Sequence, residues 1–326
     1  MSGLCLIRQP IHPAGLALLR AAGMRIAEEW RLTPEALAAA MAEAEAAILR
    51  DRGLPAAMLA SMPRLRVAVV HGAGVDRIAL PLARELGVAI AATPGENAIS
   101  VAEQAFALLL ALARRVPEGD RAVREGRWDW RDGPAGRELR GLRLGLVGWG
   151  EVARQVARIA GAGFGMQVAA FTRHGDPAEL AAAGVAQAPD LDALLAASDV
   201  VSLHARPAGA PLIDARALAL LPPGALLINT ARGALVDEAA LLAALDEGRL
   251  AGAGLDVCDP EPAEPDGPLV AHPGVLLSPH VGGMTEAARI RTAEAAARRA
   301  LAILAGRPDG LIAGSAWPPR QVEAAG

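Results

Sequence analysis

Three chemically useful residue types follow three apolar runs in the last third of the chain. Arg232 stands behind ALLINTA (225–231), Asp256 and Glu261 stand at and behind AGAGLDV (251–257), and His280 stands behind VLLSP (275–279). An arginine does not shed its charge, so at the end of a buried strand it is solvated, paired with a carboxylate of the protein, or reserved for an anionic ligand. Histidine exchanges a proton near neutral pH, and a carboxylate beside it orients the ring and favours its protonated form. Together such groups suit hydride reduction of a 2-oxo acid: the arginine binds the carboxylate and polarises the carbonyl, the histidine protonates the forming hydroxyl, and the glutamate orients the imidazole. Each residue alone has a plainer structural reading, as a salt bridge, a hydrogen-bonded histidine or a solvated acid within DPEPAEPD (259–266). Their joint placement favours the chemical one, because parallel strands of a doubly wound sheet open their carboxyl ends onto one crevice.

The elements that position these residues form two series. From residue 4 to about 90, short strands (LCLIR, AAILR, LRVAVV, GVAIA) alternate with helices and make a small α/β unit. ATPGENAIS (92–100) interrupts it with Pro94 and Gly95, and a long apolar helix is expected over residues 100–115. Residues 117–140 are polar and carry Trp128 and Trp130, as in a surface loop or an interface arm. From residue 141 a second alternation (RLGLVG, MQVAAF, DVVSLH, GALLINT, AGAGLDV, VLLSPH) predicts right-handed crossovers and a mostly parallel, doubly wound sheet. A last helix over 284–306 carries the chain back to the first series. The expected domains are therefore 1–97 with 285–326, for substrate, and 98–284, for a dinucleotide.

LGLVGWGEVA places Gly148, Trp149, Gly150, Glu151, Val152 and Ala153 between a strand and a helix, as G-x-G-x-x-A. The first glycine permits the turn, the second lets a pyrophosphate approach the helix N-terminus, and the small last residue lets helix and strand pack closely. Such a site usually carries an acid at the end of the second strand to hold the ribose hydroxyls. Here Thr172, Arg173 and His174 occupy that place and no carboxylate precedes Asp176, which favours a 2′-phosphate and so NADP over NAD; the alternative is a solvated Arg173, with Asp176 or backbone groups holding the ribose of NAD.

Composition excludes other chemistries. All 32 basic residues are arginine, so no lysine can form a Schiff base, anchor pyridoxal phosphate or serve a P-loop, and without tyrosine there is no Tyr-Lys reductase pair. Cys5 and Cys258 supply neither a disulfide framework nor metal-ligand spacing, and no metal site is expected. A net charge of -4 with scattered arginines gives no footprint for nucleic acid. No apolar run reaches a membrane-spanning length and the N-terminus lacks a signal-peptide layout, so a cytoplasmic protein is expected.

Taken in order, HGAGVDRI (71–78), TPGENAISVAEQAFALLLALAR (93–114), LGLVGWGEVA, INTARGALVDEAAL, GLDVCDPEP and SPHVGG resemble the signatures of the D-isomer specific 2-hydroxyacid dehydrogenase family over residues 40–305. The resemblance implies an NAD(P)-dependent enzyme with a Rossmann-type domain and a smaller flavodoxin-like α/β domain that the C-terminal helix completes. It implies Arg232, Glu261 and His280 as the catalytic set and Asp256 near the nicotinamide carboxamide, with Val101, His204, Thr230 and Ala231 as further cofactor contacts. The backbone around Ala73 and Gly74 becomes a cradle for the substrate carboxylate, and a homodimer through the nucleotide-binding domain is implied. Arg50 and His71, with Arg52, could meet the distal end of the substrate as a cationic set, or could equally be loop residues near the strand ends. Three features depart from the family: the missing acid after the second strand, a shorter loop at 204–213, and Cys258 where an aromatic residue is usual. Two alternatives stay open: a formate dehydrogenase-like enzyme, which has glutamine at the place of Glu261, and a corepressor-like nucleotide sensor, which binds without turnover.

Overall fold

The computed structural model describes residues 3–322; residues 1, 2 and 323–326, the extremities of the first expected domain, lie outside the described residues. The chain divides into two compact units, one of residues up to Asn97 together with those from Met284 onward, the other Ala98–Gly283.

The first unit is built on β1 (Leu4–Ile7), β2 (Arg25–Glu28), β3 (Ala44–Leu49), β4 (Val67–Val70) and β5 (Ala89–Ala92), all parallel in the order β2-β1-β3-β4-β5. This is the flavodoxin-like order. Inner strands such as Val67–Val70 are buried on both faces, which is why they read as unbroken apolar runs. The C-terminal helix Glu286–Leu304 starts from an N-cap, Thr285, whose hydroxyl accepts from Ala288 N. It seals one face of the sheet with Ala293, Ala296, Ala297, Ala300 and Ile303. The helix Pro34–Glu43 and the strand β2 were not expected.

The second unit holds β6 (Arg143–Val147), β7 (Gln167–Phe171), β8 (Ala186–Gln187), β9 (Val200–Leu203), β10 (Ala225–Asn229), β11 (Leu250–Leu255) and β12 (Val275–Leu277). They form one parallel sheet in the order β12-β11-β10-β9-β6-β7-β8. With β6 counted first, that is the Rossmann order with one further strand, and the topology reverses between β6 and β9. Alternation along β10 shows why both faces fill: Leu226 and Ile228 join one core, Ala225 and Leu227 the other. The long helix over 98–113 packs on the first of these faces, where Phe106 stacks on Phe164 at 5.1 Å.

The polar stretch 117–140 is more ordered than a loop. Residues Val116–Arg124 form a helix with Pro117 in its first turn, Glu118 near its N-terminus and Arg121 and Arg124 near its C-terminus, each placed to suit the helix dipole. A 3-10 segment Trp128–Asp132 follows, with Trp128 68% exposed and Arg115 lying over the Trp130 ring. Among the described residues no helix is long and apolar enough to cross a membrane, and no cluster of metal-ligating side chains occurs.

Candidate active site

In the second unit the expected residues gather at the carboxyl ends of the strands. Behind β6, Gly148 adopts φ +104, a conformation side chains rarely take, and a Cβ there would lie 2.6 Å from the carbonyl oxygen of His204. Only glycine fits this turn. Gly150, by contrast, faces open space and begins the helix Glu151–Arg158 with no side-chain cap. The first N–H groups of that helix are therefore without an internal acceptor, which suits an anion. Ala153 is fully buried, Val152 packs beside it, and the Glu151 carboxylate accepts from Arg154 at 2.6 Å. The Trp149 side chain turns into the core, where its indole N–H is buried without a partner, so the ring itself is part of the packing.

At the end of β7, the His174 N–H donates to the Thr172 hydroxyl. Arg173 is exposed, with no hydrogen bond or ion pair among the described residues. Asp176 caps the helix Pro177–Ala182 by accepting from Ala178 N at 2.9 Å. Its carboxylate is therefore tied to a helix start.

His204 follows β9, with its Nε2 2.9 Å from the Ser202 hydroxyl. Desolvation pushes its imidazole down to about 4. The folded protein thus resists a proton that the unfolded chain takes up near pH 6.5. The stability contribution is complete above about pH 6.5 and is lost as the pH falls toward about 4, by ~3 kcal/mol in all. Urea unfolding of the wild type and His204→Gln at about pH 7.5 and about pH 5 should show the larger loss in the wild type. Equal losses in the two proteins would reject the linkage.

The three chemical residues occupy neighbouring loops. Behind β10, the buried Asn229 side chain braces the turn, its Nδ2 donating to Arg232 O at 2.8 Å and its Oδ1 accepting from Ala231 N at 3.0 Å. The Arg232 guanidinium donates to Ala231 O at 2.6 Å, and the Thr230 hydroxyl is buried without a partner. Behind β11, Glu238 accepts from Asp259 N at 2.8 Å and holds the segment that carries Glu261. Burial and the nearby Asp259 hold the Glu238 carboxyl above its ordinary value, against the hydrogen bond from Asp259 N–H. Behind β12, the His280 Nδ1 lies 2.9 Å from Glu261 Oε1.

Asp256, 2% exposed, commits both carboxylate oxygens to the loop after β12. Oδ1 accepts from the Ser278 hydroxyl at 2.5 Å and from Val281 N at 2.9 Å, and Oδ2 accepts from Gly282 N at 2.8 Å. Bonds of this charge-assisted kind contribute about 1.5–3 kcal/mol each. They outweigh the ~1–3 kcal/mol cost of holding His280 in left-handed backbone, at φ +52. Val101, on the helix over 98–113, lines the same spot: a Cβ on Gly282 would lie 2.9 Å from Asp256 Oδ2 and 3.6 Å from Val101 Cα.

The first unit holds the remaining candidates. The backbone N–H groups of Ala73 and Gly74 have no acceptor among the described residues. Arg50 donates to Pro10 O at 3.1 Å and lies 3.6 Å from Asp51, while Arg52 reaches Glu29 at 3.2 Å. His71 corrects the expected cationic set. Desolvation, with Arg50 as the next cause, pushes it down to about 4, so it is neutral at pH 7, and its Nε2 is buried without a partner. Arg289, on the C-terminal helix, adds to that field and was not foreseen.

The family model for the NAD-binding domain of D-isomer specific 2-hydroxyacid dehydrogenases matches residues 106–282. A glyoxylate reductase of Korarchaeum cryptofilum is 38% identical over 239 residues, 71% of this chain and 70% of that protein. A D-3-phosphoglycerate dehydrogenase of Archaeoglobus fulgidus is 33% identical over 288 residues, 87% of this chain but 54% of that protein, so the chain spans about half the length of this relative. Among solved structures, the NADPH-dependent glyoxylate/hydroxypyruvate reductase of Sinorhizobium meliloti, in complex with NADP and malonate, has a TM-score of 0.85 at 28% identity and covers 99% of this chain and 100% of that one.

Proposed function

The chain belongs to the D-isomer specific 2-hydroxyacid dehydrogenase family, and on that premise we propose that it reduces small 2-oxo acids to D-2-hydroxy acids, with NADPH in preference to NADH. By family it is an NAD(P)-dependent oxidoreductase. One contact supports this function above the others: His280 Nδ1 against Glu261 Oε1 at 2.9 Å, on loops behind β12 and β11, beside the β10 strand whose following loop carries Arg232. The relatives named as reductases and dehydrogenases, together with Glu261 itself, count against the formate dehydrogenase-like and corepressor-like alternatives.

The residues present fit a dinucleotide. Gly148 and Gly150 leave room at an uncapped helix start, and Thr230 Oγ1 is a buried polar atom without a partner. Residues 148–152, Thr172, Arg173, His174, His204, Thr230, Ala231, Asp256 and Val101 would hold it. A bound nicotinamide would supply the hydride. Arg232 binds the substrate carboxylate and draws electron density from the carbonyl oxygen. With Nδ1–H donated to Glu261, the imidazole of His280 presents Nε2 and passes a proton to the oxygen that becomes the hydroxyl. The unpartnered N–H groups of Ala73 and Gly74 support a role in anion binding, and Arg50 with neutral His71 is assigned to the distal end of the substrate. The same proposal places the protein in the cytoplasm and has it form a homodimer through the nucleotide-binding unit; exposed Val116, Val123 and Trp128 support the dimer.

The test follows the oxidation of NADPH and of NADH over glyoxylate, hydroxypyruvate, pyruvate, phenylpyruvate and 3-phosphohydroxypyruvate, in wild type and Arg173→Ala. A 2′-phosphate paired with Arg173 contributes roughly 1.5–3 kcal/mol, so the variant should lose affinity for NADPH more than for NADH. Equal loss for both, or a wild-type preference for NADH, rejects the cofactor assignment. Absence of turnover with every acid rejects the function.

A further inference from the structure

We propose that Ser278 and Gln104 are positioning residues for His280, acting through the buried carboxylate of Asp256; this rests on the proton-donor role given to His280 above. Ser278 Oγ makes two bonds at once. It accepts from Gln104 Nε2 at 2.9 Å and donates to Asp256 Oδ1 at 2.5 Å. Asp256 in turn takes the N–H groups of Val281 and Gly282 on its carboxylate and that of His280 on its backbone carbonyl, at 2.8 Å. The backbone N–H groups from His280 to Gly282 thus all reach Asp256, that of His280 being shared with Ser278 O at 3.0 Å, and the imidazole is carried by the first residue of that clasped run.

The sequence of β11 makes the link to Gln104 possible. A Cβ on Gly254 would lie 2.9 Å from the Cβ of Leu108, so the glycine lets the helix over 98–113 settle close against the sheet. From there Gln104 reaches a hydroxyl 174 residues away. The hydroxyl of Ser278 has no second donor hydrogen. By accepting from Gln104 it is left to point its only proton at Asp256, which fixes the direction of the shortest bond in the clasp. Asp256 has no arginine or histidine partner in this clasp, so its charge is balanced by oriented donors alone, and loss of one leaves the others free to turn. The left-handed backbone of His280 then has less to hold it, and Nε2 departs from the line to the substrate carbonyl while Glu261 stays in place.

The test measures hydroxypyruvate reduction with NADPH for Ser278→Ala, Gln104→Leu, Ser278→Thr and His280→Ala, with thermal unfolding of each preparation. Ser278→Ala and Gln104→Leu are expected to lower kcat about 10- to 50-fold, with KM for hydroxypyruvate within about 3-fold of the wild type. Their solvent deuterium isotope effect on kcat should rise, because a displaced imidazole makes proton transfer rate-limiting. Ser278→Thr keeps the hydroxyl and should return kcat to within about 3-fold of the wild type. The proposal is overturned if Ser278→Ala keeps wild-type kcat while His280→Ala has lost it, or if the alanine variant merely melts earlier and turns over normally when folded. If His280→Ala itself keeps its turnover, the proton-donor reading fails and this proposal fails with it.

Discussion

Replacing His280 by alanine is expected to lower turnover of hydroxypyruvate or glyoxylate by about 10²- to 10⁴-fold, with little change in the binding of NADPH. That is roughly 3 to 5 kcal/mol of barrier, the size of contribution a well-placed proton donor makes. The imidazole meets Glu261 through Nδ1 and makes no other side-chain hydrogen bond among the described residues, so its removal does not unpair a buried group elsewhere. The helix start at Gly150 and the turn at Gly148 lie behind a different strand and keep their geometry. Alanine at φ +52 also bears backbone strain, so the loss could have a second origin in the loop. His280→Asn separates the two, since asparagine tolerates left-handed backbone but donates no such proton. Both variants should be equally slow in steady-state assays. Recovery in the asparagine variant alone would place the defect in the loop, and near wild-type turnover in both would remove His280 from the chemistry.

Much of the second unit was legible because parallel strands covered on both faces must be apolar throughout, so ALLIN and AGAGL announce themselves as strands and the residues just behind them as the lining of a crevice. The turn at Gly148 was legible for a local reason as well, since only glycine allows that φ beside the carbonyl of His204. Elements that lack such constraints escaped. The helix Val116–Arg124 has no long apolar stripe and is marked only by Pro117 and by charges suited to its dipole, and β2 is a half-exposed edge strand. Long-range chemistry was hidden altogether. Nothing in VAEQAFALLL says that Gln104 meets Ser278, and His71 reads as a cation until burial, which belongs to the folded chain, keeps it neutral. Asn229 and Ser278 did leave a trace, as polar residues closing otherwise apolar runs.

Arg232→Lys is expected to fold and to bind cofactor as the wild type does, while kcat/KM falls steeply for every 2-oxo acid. Lysine keeps one positive charge but loses the planar fork, so two-point recognition of a carboxylate fails even though part of the attraction survives. On the proposed role, in which one group holds both the carboxylate and the carbonyl oxygen, the loss should reach both substrate binding and the transition state and appear in kcat as well as in KM. The competing account has Arg232 as a fastener of the strand end, and its bond to Ala231 O at 2.6 Å gives that account a footing. The fold, however, has another brace at this turn: Asn229 already ties Ala231 N and Arg232 O through its own side chain, without the guanidinium. Lysine still offers a donor at this turn, so replacing the guanidinium that bonds Ala231 O should cost at most about 1.5–3 kcal/mol, a shift of several degrees in Tm for a unit of this size. Thermal unfolding and kinetics on one preparation decide between the accounts. A large drop in Tm with unimpaired turnover per folded molecule would make INTARGALVD a structural turn, whereas a Tm lowered by no more than several degrees with kcat/KM down at least about 100-fold is the signature of a group that meets the substrate.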